Sequence, residues 1–318
     1  MFTSVLVYIY LLIMKPYDIL VAGEINPDLI LTGDVIPEFS QVEKLVDSAA
    51  LTIGSSSAIF ACGAARLGLK VAFIGLCGDD IFGRFMLDEM HKHGVDVSHT
   101  LVRADEQTGL SVILNRGTDR AILTYPGLIP ALRALDISDS LLQNARHLHV
   151  ASYFLQTNLH PDLPALFRRA RTFGLTTSLD PNYDPTELWT GFDELLALTH
   201  VFLPNEKEAL SLTKESTIHL AVDQLAAKVE TVAIKLGGAG ALGACNREKA
   251  RVASIPVDVV DTVGAGDSFD AGFLYGYLHE WSLEKSLQLA CTCGGLSTQR
   301  AGGTGGQPTL DEALIFLE

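Results

Sequence analysis

The sequence predicts an α/β fold: a three-layer αβα sandwich with a mostly parallel central sheet and a small β lid. Two patterns carry this expectation. Short apolar or β-branched runs alternate with amphipathic stretches of helical period through most of the 318 residues. The alternation breaks at residues 100–125 and again at 241–255, where paired strand-like runs flank polar turns and read as hairpins. A third observation puts chemistry on this frame. The stretch Asp261-Thr262-Val263-Gly264-Ala265-Gly266-Asp267 lies between a β-branched run and an amphipathic helix signal.

Taken in order, residues 5–14 are almost wholly apolar but too few to span a bilayer, and no cationic run precedes them. We read residues 1–13 as a non-core extension and 14–318 as one α/β domain; an extra strand or helix packed on the body is the alternative. Residues 18–23 form an apolar strand, followed by Glu24-Ile25-Asn26-Pro27-Asp28 at its carboxyl end. Ligands of open α/β sheets bind at such ends, although Glu24 reads as a solvated loop residue. Lid strands come from about residues 25–40 and 99–125, the latter a hairpin (110–114 and 120–124) around Arg116-Gly117-Thr118-Asp119. Gly54-Ser55-Ser56-Ser57-Ala58 opens a helix to about Leu67, residues 71–75 form a strand, and 81–93 form a helix closed by Gly94. Helices at 135–144, 163–173, 191–198 and 221–229 then lead to strands at 147–151, 176–179, 201–203 and 231–236. A second hairpin, 241–245 with 251–255, precedes a strand at 257–260, and helices follow at 267–279 and 283–300.

Hydrophobic residues make up 48% of the chain, enough for a sizeable core, and the net charge is −15. That charge argues against nucleic acid or an anionic membrane as partner. A polyanionic ligand would have to be held by local amides, a few cations and a metal. Five cysteines, an odd number without regular spacing, fit reduced thiols in the cytoplasm. Cys291-Thr292-Cys293 reads as core packing.

The Gly264–Gly266 turn suits an anion. Glycines let the backbone approach a ligand, and first-turn N–H groups of a helix lack intrahelical partners. A carboxylate at the mouth of such a nest repels anions unless it takes a proton from an attacking hydroxyl. An Asp267 that merely caps the helix is the competing reading. Gly238-Ala239-Gly240-Ala241-Leu242-Gly243 matches a dinucleotide fingerprint, but a strand follows where a helix should open. Gly54-Ser55-Ser56-Ser57-Ala58 lacks the second glycine of a hydrolase elbow, and no P-loop motif is present. Asn205-Glu206-Lys207-Glu208 offers oxygen ligands suited to Mg²⁺, or else a capped helix start, which is the better reading for Glu206 and Lys207.

These residues together resemble the PfkB, or ribokinase-like, carbohydrate kinases from Met14 onward. Asp261-Thr262-x-Gly264-Ala265-Gly266-Asp267-x-Phe269-x-Ala271-Gly272-Phe273 is similar to the family's C-terminal signature, and residues 54–83 to its N-terminal one. Gly23-x-x-Asn26-x-Asp28, Asp180-x-Asn182, Asn205-x-x-Glu208 and Lys235-x-Gly237-x-x-Gly240 follow in family order. The resemblance implies a ribokinase-like fold and ATP-dependent phosphorylation of a sugar hydroxyl. Asp267 would be the base, with the amides of Gly264, Ala265 and Gly266 as the anion hole. Asp28, Asn26, Gly54, Ser55 and Asn182 would meet the sugar, and Lys235, Gly237, Gly240 and Thr262 would line the ATP site. Asn205 and Glu208 would organise Mg²⁺, and Asp261 matches an aspartate that in some members helps hold a monovalent cation such as K⁺. A small-molecule sugar or polyol is the expected partner, with a homodimer through the lid as the candidate assembly.

The chain departs from the family pattern at Ser55, at Ile59, where an asparagine usually touches sugar hydroxyls, and at Asp184, where arginine is common. No Lys or Arg stands among Glu24, Asn26, Asp28, Ser55, Ser56, Ser57 and Ile59, so a neutral acceptor is expected. That acceptor is a sugar with other hydroxyl demands than ribose, or a nucleoside whose base lies near Ile59. Arg116 and Arg120 on the lid are the reservation. A non-catalytic sugar or nucleotide sensor is the competing class.

Overall fold

The structure, a computed structural model, describes residues 15–116 and 119–317. The expectation for residues 1–13 and the hairpin tip at Gly117 and Thr118 lie outside the described residues. In chain order, β1 (Tyr17–Ala22), β2 (Pro27–Thr32) and β3 (Ser48–Ile53) precede α1 (Ser56–Arg66), β4 (Val71–Ile74), β5 (Leu76–Gly78) and α2 (Ile81–Lys92). Then come β6 (Leu101–Arg103), β7 (Leu110–Arg116), β8 (Asp119–Tyr125), α3 (Asp139–Gln143), β9 (Ala145–Val150), α4 (Leu163–Thr172) and β10 (Thr176–Leu179). The remainder is α5 (Asp193–Leu196), β11 (Val201–Phe202), α6 (Glu206–Thr213), α7 (Ile218–Ala226), β12 (Thr231–Lys235), β13 (Ala241–Cys245) and β14 (Glu248–Val252). Helices α8 (Ala265–Leu278), α9 (Leu283–Ser297) and α10 (Leu310–Leu314) close the chain.

Eight strands form the central sheet in the order β14-β13-β12-β11-β10-β9-β1-β4. The pairs from β4 to β12 are parallel, and only the β12-β13-β14 edge is antiparallel. Strand β1 shows why there are three layers. Ile19 and Val21 point into a core with α1, α2, α8 and α9, while Leu20 and Ala22 point into a second core with α3, α4 and α7. A strand buried on both faces reads as a continuous apolar run rather than an alternation.

The lid is a separate four-stranded sheet, β3-β2-β7-β8. Its register puts a polar row on one face, next to a row of Ile30, Ile113 and Ile122. Asp28, Ser111 and Thr124 align across β2, β7 and β8, and Leu29, Val112 and Leu123 align on the opposite face.

Four expectations need correction. Strand β3 was not anticipated, because Ser48-Ala49-Ala50-Leu51 is small and mostly exposed and shows no alternation. The second hairpin turns earlier than expected: Cys245 pairs Glu248, leaving Asn246 and Arg247 as a two-residue loop. Both have positive φ, 48° and 74°, as a type I′ turn requires, so β14 spans Glu248–Val252 and not 251–255. Residues 257–260 form no strand; Val259 and Val260 are exposed, and the loop is tied to α9 by Val260 N and Asp261 N donating to Thr298 O. The helix expected at 135–144 is a 3₁₀ turn followed by α3, because Ser138 Oγ caps a new start by accepting from Leu141 N.

Candidate active site

The carboxyl ends of the parallel strands, the start of α8 and the inner face of the lid meet at one place. The turn before α8 is set by Gly264, whose φ is 72°. A Cβ there would lie 2.7 Å from Gly303 and 2.9 Å from Ile59 Cγ2, so this position requires glycine. Asp261 locks the turn from outside: Oδ1 accepts from Val263 N at 3.0 Å and Oδ2 from Gly302 N at 2.9 Å. Both carboxylate oxygens therefore serve backbone amides. The first-turn amides of a helix have no partner within it, although Ala265 N lies 3.3 Å from Thr262 O and is partly engaged.

Asp267 sits inside the first turn of α8, past the N-cap Gly264, and makes no capping bond. The helix-cap reading therefore fails. Burial pushes its carboxyl up to about 8, and Asp180 pushes the same way; the Lys235 ammonium and Ser56 hydroxyl pull it down, while Glu24 raises it further.

Lys235, at the end of β12, donates to Asp180 Oδ2 at 2.8 Å and Asp270 Oδ2 at 3.2 Å. Burial pulls this ammonium down, but Asp180, Asp270 and Glu208 outweigh it and hold the pKa above the ordinary lysine value. Asp270 follows Asp267 by three residues on α8, and burial raises its carboxyl well above the usual range. Its Oδ1 is buried without a partner.

Asn205 and Glu208 close on each other as a capping box at the start of α6. Asn205 N donates to Glu208 Oε2 at 2.8 Å, and Glu208 N to Asn205 Oδ1 at 2.9 Å. Burial, then Asp180, lifts the Glu208 carboxyl to about 7. Asp180, Glu208, Asp267 and Asp270 thus face one ammonium. This buried cluster of carboxyl groups, hard oxygen donors that a cation would help to ionise, suits a magnesium ion held through water and phosphate oxygens. Direct ligation is not prepared: among the described residues no three His, Cys, Asp or Glu side chains are grouped to hold a metal. Asp261 does not join this set; its charge acts on Asp28 instead.

The acceptor side is built on β2. Burial pushes Asp28 up to about 7; Arg120 on β8 opposes this, while Asp261 and Glu24 add to it. Asn26 Nδ2 donates to Asp28 Oδ1 at 3.4 Å and to Ser111 Oγ at 3.3 Å, and Ser111 Oγ lies 3.1 Å from Thr124 Oγ1. Gly54 backs this group: a Cβ there would stand 2.2 Å from Asp28 Oδ1. Asn182, at φ 52°, donates from Nδ2 to Ser56 Oγ at 3.0 Å.

Three sequence expectations change here. Glu24 is not solvated; it is 3% exposed, and its carboxylate accepts from three serines. Ser55 is the N-cap of α1, its hydroxyl accepting from Ala58 N and donating to Glu24 O at 2.7 Å, so it is engaged in structure rather than offered to a sugar. Ile59 is 3% exposed and packs under Gly264 and Gly303, so no base or hydroxyl meets it. Asp184 is also buried, accepting from Thr186 N and Trp189 N within its own loop. Sequence reasoning missed Asp270, Ser111, Thr124 and Ser152. The i, i+3 spacing of Asp267 and Asp270 was the one available signal.

A cavity of about 430 Å³ opens beside the Gly264 turn. Lys235, Gly237, Gly240 and Thr262, expected at the nucleotide, all line it, together with Val257, Val259 and α9 residues Cys291, Gly294 and Gly295. The glycines leave flat walls on which a ring can lie.

The profile of the pfkB family carbohydrate kinases matches residues 17–310. The chain belongs to this family. Among pfkB proteins it is similar to the ribokinase of Haemophilus influenzae, 29% identical over 313 residues, covering 94% of this chain and 97% of the relative. It is also similar to the 2-dehydro-3-deoxygluconokinase of Bacillus subtilis, 34% identical over 278 residues, covering 81% and 84%. A solved fructokinase double mutant of Vibrio cholerae O395, bound to fructose, ADP and a potassium ion, superposes with a TM-score of 0.80 at 25% identity, covering 96% of this chain and 99% of that one. The pfkB match makes this chain an ATP-dependent carbohydrate kinase on the ribokinase fold. The dinucleotide-binding reading of residues 238–243 and the non-catalytic sensor are set aside. Among the described residues no helix is long and apolar enough to cross a membrane.

Proposed function

We propose that the enzyme transfers the terminal phosphoryl group of ATP to a hydroxyl of a neutral sugar or polyol, with Asp267 as the base. The observation that carries this reading is the lid wall of Asn26, Asp28, Ser111 and Thr124, joined by direct hydrogen bonds. It offers an amide, hydroxyls and one carboxylate, a set that matches sugar hydroxyls. A phosphorylated acceptor would bring two negative charges against Asp28, at a cost that rises in low dielectric. Arg120 is the cation nearest in effect, and it is already engaged in offsetting Asp28.

In this reading the nucleotide lies in the cavity along Gly237, Gly240 and Thr262. The amides around Gly264 and Gly266 receive the transferred group, each donor contributing ~3 kcal/mol by the precedent of oxyanion holes. Asp267 takes the proton of the acceptor hydroxyl, and Asp28 with Asn26 and Asn182 holds the ring so that this hydroxyl faces the turn. Lys235 keeps Asp267 ionisable by opposing the surrounding carboxylates. Asn205 and Glu208 would hold Mg²⁺ through water, and bound Mg²⁺ would offset phosphate charge. The Asp261 turn would bind K⁺ beside its backbone carbonyls. We place the enzyme in the cytoplasm, consistent with five free cysteines, and as a dimer through the apolar outer face of the lid.

One observation favours a second acceptor class. A separate cavity of about 550 Å³ runs from Thr124 to Ile129, Phe154 and Leu155. It is apolar enough for a nucleoside base, which would then lie there rather than at Ile59. The test is a panel of ribose, fructose, 2-keto-3-deoxygluconate, myo-inositol, adenosine, inosine and fructose-1-phosphate with ATP and Mg²⁺. A neutral sugar or polyol should show the highest kcat/KM. Preference for the phosphorylated sugar would end the neutral-acceptor reading, and preference for a nucleoside would select the second.

A further inference from the structure

We propose that Lys235 is a catalytic residue whose ammonium meets the transferred phosphoryl group, and that Asp270 is the positioning residue that holds it there. The inference rests on the kinase reading above, in which Asp270 has no part.

An ammonium carries three N–H donors. Lys235 Nζ gives one to Asp180 Oδ2 at 2.8 Å and one to Asp270 Oδ2 at 3.2 Å. Among the described residues no acceptor takes the third. The two carboxylate side chains are 2% and 1% exposed and that of Lys235 is 11%, so the triad opens at its ammonium. It opens into the nucleotide cavity, where, among the described residues, Lys235 is the one charged side chain on the wall. The Gly264–Gly266 turn lies against it. A Cβ on Gly266 would stand 3.7 Å from Lys235 Nζ, and the missing side chain leaves that gap clear for a phosphate oxygen.

Backbone and side chain are both held. Lys235 N donates to Pro204 O at 3.0 Å, and Lys235 pairs with Ala241 across β12 and β13. Burial works against the ammonium's charge, but Asp180 and Asp270 outweigh it, so the charge is retained. A triad kept for stability alone accounts for less. One carboxylate neutralises one ammonium, and replacing a buried ion pair by apolar side chains is often neutral or better. Asp270 adds a second carboxylate whose Oδ1 stays buried without a partner, and such an atom costs stability. A carboxylate that sets the direction of the third proton has a use that offsets this cost. In transfer, the bond from the terminal phosphorus to ADP breaks, the bond to the acceptor oxygen forms, and the hydroxyl proton passes to Asp267. Lys235 forms no covalent bond in this step; it offsets the negative charge on the oxygens of the moving group.

Lys235→Met, Asp270→Ala and the double variant test this, with Asp270→Ser replacing the second should it not fold. Rates are taken on the pH plateau above the acid limb, where a shifted Asp267 pKa does not enter. Lys235→Met should lower kcat by about 10²–10³, the loss for one oxyanion donor, with KM for ATP near the wild type. Asp270→Ala should lower kcat about tenfold, the scale of a displaced catalytic group. The double variant should be no slower than Lys235→Met, because Asp270 acts only through the lysine. A binding measurement separates this from a structural role. Aluminium fluoride, a mimic of the moving phosphoryl group, should tighten Mg·ADP binding to the wild type in titration calorimetry. Both single variants should lose most of that gain and bind Mg·ADP alone as the wild type does. Full kcat in either single variant, losses that multiply in the double, or a fluoride gain as large in the variants as in the wild type would overturn the proposal. If the wild type transfers to no acceptor on the panel, the kinase reading itself has failed. If it transfers and the variants keep their rates, only the role of Lys235 and Asp270 has.

Discussion

Asp267 has to satisfy two opposed demands. In its proposed role as the base it must be buried, so that water does not compete with the acceptor, yet burial holds its proton on to about pH 8. Lys235 eases the conflict, since its ammonium stabilises the ionised form. Asp267→Asn should keep ATP binding and lower kcat by roughly 10²–10⁴, the range of acid–base contributions; isothermal titration with a non-hydrolysable ATP analogue and steady-state rates check both parts. The pH profile carries the sign. The base acts when deprotonated, so the rate of the free enzyme should rise with pH through an acid limb. Lys235→Met removes the charge that lowers the Asp267 pKa, so that limb should move to higher pH. A limb that stays put, or moves down, would show that Lys235 does not act on the base. At this scale the sequence was uneven. Asp267, Asn26 and Asp28 could be proposed from the sequence because they sit in a local motif or at a strand end. Glu24 and Ile59 were misread, because their partners lie on other segments: Ser152 for the first, Gly303 for the second.

At the scale of elements, α8 and the lid behave differently. Helix α8 is specified locally, by a glycine turn, a buried face and the Asp261 lock, and its start and type were legible. Gly264→Ala should be severe: the left-handed φ and the 2.7 Å approach to Gly303 leave no room for a methyl group. Shifting this turn misplaces the amides, and kcat should fall by about 10²–10³, the cost of losing one oxyanion donor. K⁺ should raise activity over a K⁺-free buffer by firming the same turn; equal rates in K⁺ and a bulky organic cation would remove that role from Asp261. The lid was half legible. Its hairpin shows alternation, but β3 carries small residues whose pairing with β2 only the tertiary structure reveals. The outer lid face leaves Leu123 62% exposed beside Val112 and Leu29. The proposed dimer would cover this leucine. Leu123→Asp should convert a dimer to monomer in light scattering with the fold intact by circular dichroism; a wild type that is monomeric at working concentration would refute the lid interface.

The whole molecule stores an electrostatic cost in its site. Alternating strands and helices made the three layers readable from the sequence, but nothing local showed that Asp28, Glu208 and Asp267, from distant parts of the chain, would be buried within one cleft. Their carboxyl groups are raised to about 7, 7 and 8. Unfolded, they would titrate near 4. Between these limits the folded protein holds protons that the unfolded chain releases, so folding stability is full below about pH 4 on their account and is lost as pH rises toward 8. Lys235 does not offset this slope, since its raised pKa keeps its contribution constant over the same window. Exposed carboxylates in ion pairs, such as Asp193 with Lys228, act in the opposite sense, but solvent screens them. The free enzyme should therefore melt at least about 5 °C lower at pH 8 than at pH 5.5. Mg²⁺ with an ATP analogue should flatten the dependence, because a cation beside Asp180 and Glu208 compensates the charge that deprotonation exposes. Differential scanning calorimetry across that range, with and without the ligand, decides it. A melting temperature that climbs with pH in the free enzyme would mean these carboxylates are already ionised in the folded state, and that the cleft is wetter and less charge-strained than its geometry indicates.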